Sequence, residues 1–267
     1  MTEETPLDAA HAAMTAAPED GAARLRFYER LADGELFLLL EREAEGESLT
    51  PQVFGLEDGP VVVVFDREER LAAFAADASD APAPYAALPG RVVAAQLAGQ
   101  GIGLGINLGV APSAMLLGPE AVDWLAVTLG HGPEQAEATP TVLTPPAGLP
   151  EALITGLDAK LARAGGLAAA AFLAAVEYEG GRRGHMLAFV DAVAGAEEAL
   201  ARAAAEALTF SGIDAGEMDV TFLAGTDPVA ERLARVGLRF DLPAPETPER
   251  VERIAPGSDP DKPPILR

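Results

Sequence analysis

The stretch GQGIGLGINLG, residues 99–109, sets glycine at 99, 101, 103, 105 and 109, with Ile102, Leu104, Ile106 and Leu108 between them. Two readings compete: a loop that cradles a phosphate, or a strand thinned by glycine. A dinucleotide fingerprint needs glycines at i, i+2 and i+5, because each relieves a different contact at the pyrophosphate. Counting five on from Gly99, Gly101 and Gly103 reaches Leu104, Ile106 and Leu108, so every register fails. A Walker loop fails too, since no Gly-Lys-Ser/Thr occurs and the only lysines are Lys160 and Lys262. Strand alternation fits instead. It predicts Ile102, Leu104, Ile106 and Leu108 on one face, and glycines on the other where a neighbouring backbone or a large side chain lies flat.

Outward from this strand, the flanking segments read as mixed helix and sheet. Before it come helices at TPLDAAHAAMTAA, with Thr5 as cap and Pro6 in the first turn, and at AARLRFYERLA. ELFLLLERE, TPQVFGLEDG and PVVVVFD follow as three strands, expected to form an antiparallel meander. Asp66 reads as the N-cap of DREERLAAFA, and SDAPAPYAALPG as a surface connection. RVVAAQLAG is a short helix, and GIGLGINLG with SAMLLG a strand pair. PEAVDWLAVTLG is a helix with Trp124 expected on its inner face. Beyond it, HGPEQAEATPTVLTPPAGLP lacks any helical or strand period and reads as a linker. A helix, a hairpin tipped by GGRRG, a second helix, the strand EMDVTFLAG and the helix TDPVAERLARVG complete the chain before a proline-broken tail. Two segments, VVVVFD and MLAFVD, share one local device, a strand that ends in aspartate before a helix.

The expected fold is therefore α+β, with two small domains, each a mixed or mainly antiparallel sheet packed with helices. The boundaries predicted are 1–133 for the first domain, 134–148 for the linker, 149–243 for the second domain and 244–267 for a flexible tail.

Composition narrows function by exclusion. Across 267 residues, 42 Asp and Glu oppose 19 Lys and Arg, a formal charge of −23. Such a surface repels phosphate backbones and anionic lipid, which argues against nucleic acid and membrane as partners. The absence of cysteine removes disulfides, thiolate metal sites and thiol nucleophiles. The acidic N-terminus lacks the basic and apolar regions of a signal peptide, and GLAAAAFLAAV (166–176) is too short to span a bilayer. A soluble, cytoplasmic protein is expected.

FYERLADGELFLLLE, TPQVFGLEDGPVVVVFD, ERLAAFA and PYAALPGRVVAAQLAGQGIGLGINLGVAPSAMLLGPEAVDWL together resemble the N-terminal domain of the bacterial SseB family. The later AAFLAAVEYEGGRRGHMLAFVD, AEALTF and GEMDVTFLA are similar to the C-terminal domain often attached to it. The resemblance implies that Asn107 and Gly109 are turn residues closing the glycine strand. It carries no agreed catalytic residues. Members are discussed beside rhodanese-type sulfurtransferases, but that chemistry needs a persulfide cysteine, which this chain lacks.

Among individual residues, His11, His131 and His185 have no metal-site spacing, so no metal ligand and no cofactor are assigned. No catalytic residue is assigned either. Arg182 and Arg183 at the hairpin tip, with His185, Asp191 and Asn107, are the candidate ligand- or partner-binding residues; a pair of arginines on a turn suits a carboxylate or phosphate. The favoured expectation is a non-enzymatic binding or regulatory protein, adaptor-like, that takes a protein partner or a small ligand. The alternatives are a hydrolase or transferase with an Asp/Glu/Arg/His site in the interdomain cleft, and an assembly subunit. Arg182, His185 and Asp191 lining one pocket with strand 99–110 would favour the enzyme.

Overall fold

The structure, a computed structural model, describes residues 4–44, 46, 48–57, 59–76, 83–130, 139–212 and 218–243. Among them the chain forms two sheet-containing regions packed with helices, in the α+β arrangement expected. The tail 244–267 and residues 134–138 of the expected linker lie outside the described residues.

The first region contains helices α1 (Pro6–Ala16) and α2 (Gly21–Asp33), then strands β1 (Glu35–Leu39), β2 (Val53–Leu56) and β3 (Gly59–Phe65). Helix α3 (Glu68–Ala76), β4 (Tyr85–Pro89), α4 (Gly90–Leu97), β5 (Gly103–Ile106), β6 (Met115–Leu117) and α5 (Pro119–Gly130) complete it. The sheet order is β4-β1-β3-β5-β6, with β2 also on β3, and β3/β5 is its parallel pair. β3 is buried on both faces, which is what its unbroken PVVVVF run requires. Val62 and Val64 belong to the core shared with α1, α2, α4 and α5, whereas Val63 and Phe65 belong to the cluster that holds Leu71 of α3.

The second region contains β7 (Pro140–Thr144), α6 (Glu151–Leu161), β8 (Ala170–Tyr178) and β9 (Arg183–Val190). Helix α7 (Glu197–Ser211), β10 (Met218–Leu223), α8 (Pro228–Val236) and β11 (Leu238–Phe240) follow. Its order is β10-β9-β8-β11, with β7 also on β8; β9/β10 is parallel and β8/β9 is the expected hairpin. Helices α6 and α7 cover one face and α8 the other.

Several local expectations need correction. Residues 140–144, read as linker, form β7 and pair with Ala175–Tyr178; residues 85–89, read as connection, form β4 and pair with β1. The first three strands are not a simple meander, because β1 pairs directly with β3 while β2 is bridged to β1 only at Leu40–Pro51. Trp124 is 41% exposed instead of facing inward, lying edge-on to Tyr28 at 5.0 Å. Helix α3 begins at Glu68, and the Asp66 carboxylate is held by the Thr5 hydroxyl at 2.6 Å and by Arg70 at 2.8 Å.

The opening stretch is architecture. A Cβ on Gly103 would sit 2.7 Å from the Leu117 carbonyl of β6, and one on Gly105 would sit 2.7 Å from Leu108 Cδ1. Leu104 and Ile106 face the main core as expected, but Leu108 lies past the turn and folds back over Gly105 onto the opposite face. The large side chain lying on Gly105 comes from the same segment, while Gly103 is covered by the β6 backbone.

The two regions are docked through α2 and α7. Phe210 of α7, 3% exposed, packs into the core of the first region rather than the second. Burying a phenylalanine contributes about 1.5–3 kcal/mol.

Candidate functional site

Helix α2 is N-capped by Asp20, whose carboxylate accepts from the Ala22 N–H, and it ends at Asp33 before Gly34. A carboxylate at a helix C-terminus meets the negative end of the macrodipole, so Asp33 needs cations around it. The fold delivers three. Gly90 lets the start of α4 touch the end of α2: a Cβ there would lie 1.9 Å from the Leu31 carbonyl oxygen. That contact places Arg91 beside Asp33, with Nη2 at 2.5 Å from Oδ1. From the second region, Lys160 in the last turn of α6 donates to Asp33 Oδ2 at 3.0 Å. Arg163 donates to the Asp33 carbonyl at 3.1 Å.

Glu206 of α7 closes the network. Arg91 grips it with both guanidinium nitrogens, at 2.9 and 3.1 Å, and Lys160 reaches it at 3.0 Å. Glu29 of α2 stands 3.7 Å from Lys160, and its Oε1 has no hydrogen-bond donor among the described residues. Burial pushes the Glu29 carboxyl above its usual range, more than Lys160 pulls it down. Burial acts the same way on Asp33, but there Lys160 and Arg91 win and hold the carboxyl below its usual range. Lys160, Asp33, Glu29 and Glu206 are all buried. This is a mutually neutralised cluster shared by both regions, and breaking such a cluster costs several kcal/mol.

Beside it opens a cleft of about 590 Å³, walled by Arg91 from the first region and by Lys160, Arg163, Glu198, Arg202 and Glu206 from the second. Arg202 pairs with Glu198 at 2.8 Å, while its Nε is buried with no hydrogen-bond partner among the described residues. Gly195 and the first turn of α7 also line the cleft, and the N-cap residue of that helix, Ala196, supplies no side-chain cap.

A second polar cluster lies under α1. Asn107, fully buried with φ +48°, accepts the Asp66 N–H on Oδ1 at 3.1 Å and donates from Nδ2 to Ser113 at 2.9 Å. Ser113 donates to Asp8 Oδ1 at 2.5 Å, and Arg70 donates to both Asp8 oxygens. Asp8 also completes a capping box with Thr5. Burial opposes its charge, yet Arg70, Ser113 and the Thr5 N–H hold its carboxyl far below the usual carboxylate range. Asn107 is thus a turn residue, as the resemblance implies, and it fastens α1 over the ends of β3 and β5.

The other sequence candidates are dispersed. Arg182 lies over the Tyr178 ring and pairs with Asp219 at 2.9 Å, and Arg183 pairs with Glu177 at 3.0 Å. His185 Nε2 lies 3.2 Å from the Ala147 carbonyl, a contact that puts the proton on that nitrogen. Asp191 follows the far end of the eight-residue β9, roughly 20 Å from His185 at strand rise. With φ +50°, its N–H donates to Leu223 and its Oδ1 accepts the Gly225 N–H at 2.7 Å. Asn107 does the same in the first region, where its N–H donates to Val64 and its Oδ1 accepts from Asp66, two residues on. The structure therefore brings none of Arg182, His185 and Asp191 into one pocket with strand 99–110. Sequence reading missed Lys160, Arg91, Arg163 and Arg202. The available signal was that one of only two lysines occupies a helix that is otherwise apolar on its buried side.

Residues 7–124 match the SseB protein N-terminal domain. The match runs from α1 into α5, so the matched segment holds the Asn107 cluster and the Glu29, Asp33 and Arg91 wall of the shared network. The cations Lys160, Arg163 and Arg202 come from the region beyond it. No curated protein and no solved structure matches the chain. Among the described residues no helix is long and apolar enough to cross a membrane, and no group of three or more His, Asp or Glu could hold a metal ion.

Proposed function

We propose that the protein is a non-enzymatic binding and regulatory protein that takes a small ligand in the cleft where its two regions meet. One observation carries this reading. In a chain with 19 cationic and 42 acidic side chains, four cations and only three acids line this cleft, and both regions contribute to its walls. Anything seated there touches α4 on one side and α7 on the other, so binding changes how firmly the two regions are held. The acids that a hydrolase or transferase would use, Asp33 and Glu206, are already engaged by Lys160 and Arg91. The polar groups of the cleft therefore suit recognition better than proton transfer.

A protein partner is the second reading, supported by the aromatic pair Tyr28 and Trp124 with Val127, 59% exposed, one turn further along α5. Tryptophan and tyrosine are among the side chains that most often anchor interfaces, and here Trp124 is the exposed member with Tyr28 half-buried beneath it. One experiment separates the two: native purification of the tagged chain from its own host, followed by mass spectrometry of what it releases on denaturation. A small molecule near equimolar in the wild type and lost from R163A/R202A supports the cleft. A protein lost from W124A but kept by R163A/R202A supports the adaptor reading, and recovery of the chain alone contradicts both.

A further inference from the structure

We infer that the pocket at the carboxyl ends of β3 and β5 is a carboxylate-binding site and that α1 is its plug, with the Asp8 carboxylate seated where the carboxylate of a ligand belongs. This site is separate from the cleft. β3 and β5 run parallel. Past its end β3 leads into α3 on one face of the sheet, whereas β5 leads through Asn107 to β6 and then to α5 on the other. The crevice where neighbouring strands part in this way is where open sheets take their ligands. Here the group that fills it is the first turn of α1.

Most of the donors to Asp8 belong to the pocket and not to α1. Oδ1 accepts from Arg70 Nη1 at 3.0 Å and from the Ser113 hydroxyl at 2.5 Å. Oδ2 accepts from Arg70 Nη2 and from the Thr5 N–H at 3.0 Å. Three of these four bonds come from α3 and the β5–β6 turn, and only the Thr5 bond leaves with α1. Those three donors have supports of their own. Arg70 Nη1 holds Asp66 at 2.8 Å, and the Ser113 oxygen is held by Asn107 Nδ2 at 2.9 Å. Asn107 is fixed in turn by Val64 and by the Asp66 N–H. A guanidinium fork with a hydroxyl beside it grips a carboxylate end-on, and the burial of Arg70 and Ser113 strengthens that grip.

Apart from that clasp, α1 is lightly fastened. Its buried side chains are Leu7, Asp8 and Ala10, with His11 and Met14 half-buried. A helix of 11 residues is marginal by itself in water, and one leucine with one alanine is a small apolar hold. A helix fastened for stability alone is held as well or better by apolar side chains than by a buried ion pair. A charged clasp is one that a second carboxylate can take over, because the newcomer replaces Asp8 bond for bond on Arg70 and Ser113. α1 precedes every strand and is joined to α2 through residues 17–20, so lifting it removes no strand from the sheet.

Amide hydrogen exchange of the full chain, followed by NMR, is the test. α1 is expected to exchange through an opening that leaves β3 and β5 protected. Sodium acetate is expected to speed that exchange about threefold or more over sodium chloride at equal ionic strength, since only the opened form binds it. In D8A, acetate is expected to raise the melting midpoint saturably where chloride does not, and D8A/S113A is expected to lose most of that gain. If D8A does not fold, the wild-type exchange decides alone. A capped peptide of residues 4–16, at equal concentration, identifies the source of the carboxylate: a larger effect than acetate assigns an acidic polypeptide, an equal or smaller one a free acid. Protection of α1 equal to that of β3 and β5, so that it opens only with the whole fold, overturns the inference. So does α1 exchange that is the same in acetate as in chloride, or an acetate gain in D8A that removal of the Ser113 hydroxyl leaves whole.

Discussion

Lys160 Nζ stands 3.0 Å from Asp33 Oδ2 and 3.0 Å from Glu206 Oε2, so a single buried ammonium joins the two sheet regions. Lys160→Met leaves those carboxylates buried with only the arginines to answer them. The cost expected is about 3–5 kcal/mol, that of breaking a buried pair. Urea unfolding measures it, and a loss below about 1 kcal/mol would mean that the cluster is a solvated surface pair.

Glu29 pulls the other way. Its carboxyl is raised on folding by burial, so as an anion it destabilises the folded chain once pH rises through its folded value. Glu29→Gln removes that penalty. The variant is expected to melt above the wild type at pH 8, and the gap should close as pH falls toward 4, where the wild-type side chain carries its proton.

Asp8 has the opposite sign. Its folded value lies below the ordinary 3.8, so the stability it contributes is fully present above pH 4 and drains away as pH falls through that lower value. Asp8→Ala loses the capping box and strands Arg70 beside the single carboxylate of Asp66. A loss of about 3 kcal/mol or more at pH 7 is expected, shrinking in acid. Far-UV circular dichroism during acid titration follows it.

Gly90→Ala tests how Arg91 reaches the network. The added methyl would fall 1.9 Å from the Leu31 carbonyl, so α4 must move away from α2. The melting midpoint should drop by several degrees, as about 1 kcal/mol shifts it by 2–4 °C at this size. Gly130→Ala, whose Cβ meets nothing within 4 Å among the described residues, is the matched control.

The helices, the β8/β9 hairpin and the α+β class were legible because periodicity and caps are local signals. Thr5, for example, caps α1 as its side-chain type and Pro6 announce. β4 and β7 were not legible, since the prolines and alanines of PYAALP and the Pro-Thr start of PTVLT write no alternation, and their strand character comes from the β1 and β8 edges they complete. The fold of Leu108 over Gly105 was half visible: the glycines announced a close approach, but the left-handed Asn107 that reverses the side chain does not show in a period. An interdomain cleft was among the expectations, but the residues that line it were not legible. Arg91, Lys160 and Arg202 are separated by 69 and then 42 positions along the chain, and nothing in their neighbours says that α2 and α7 pack together.

The measurement that tests the account most directly is an amide-resolved NMR titration of the labelled chain with the low-mass fraction of its own host's lysate. The account predicts saturable shifts gathered at Arg91, Arg163 and residues 195–203, and their loss in R163A/R202A. Shifts centred on Tyr28 and Trp124, or none at all, would contradict it.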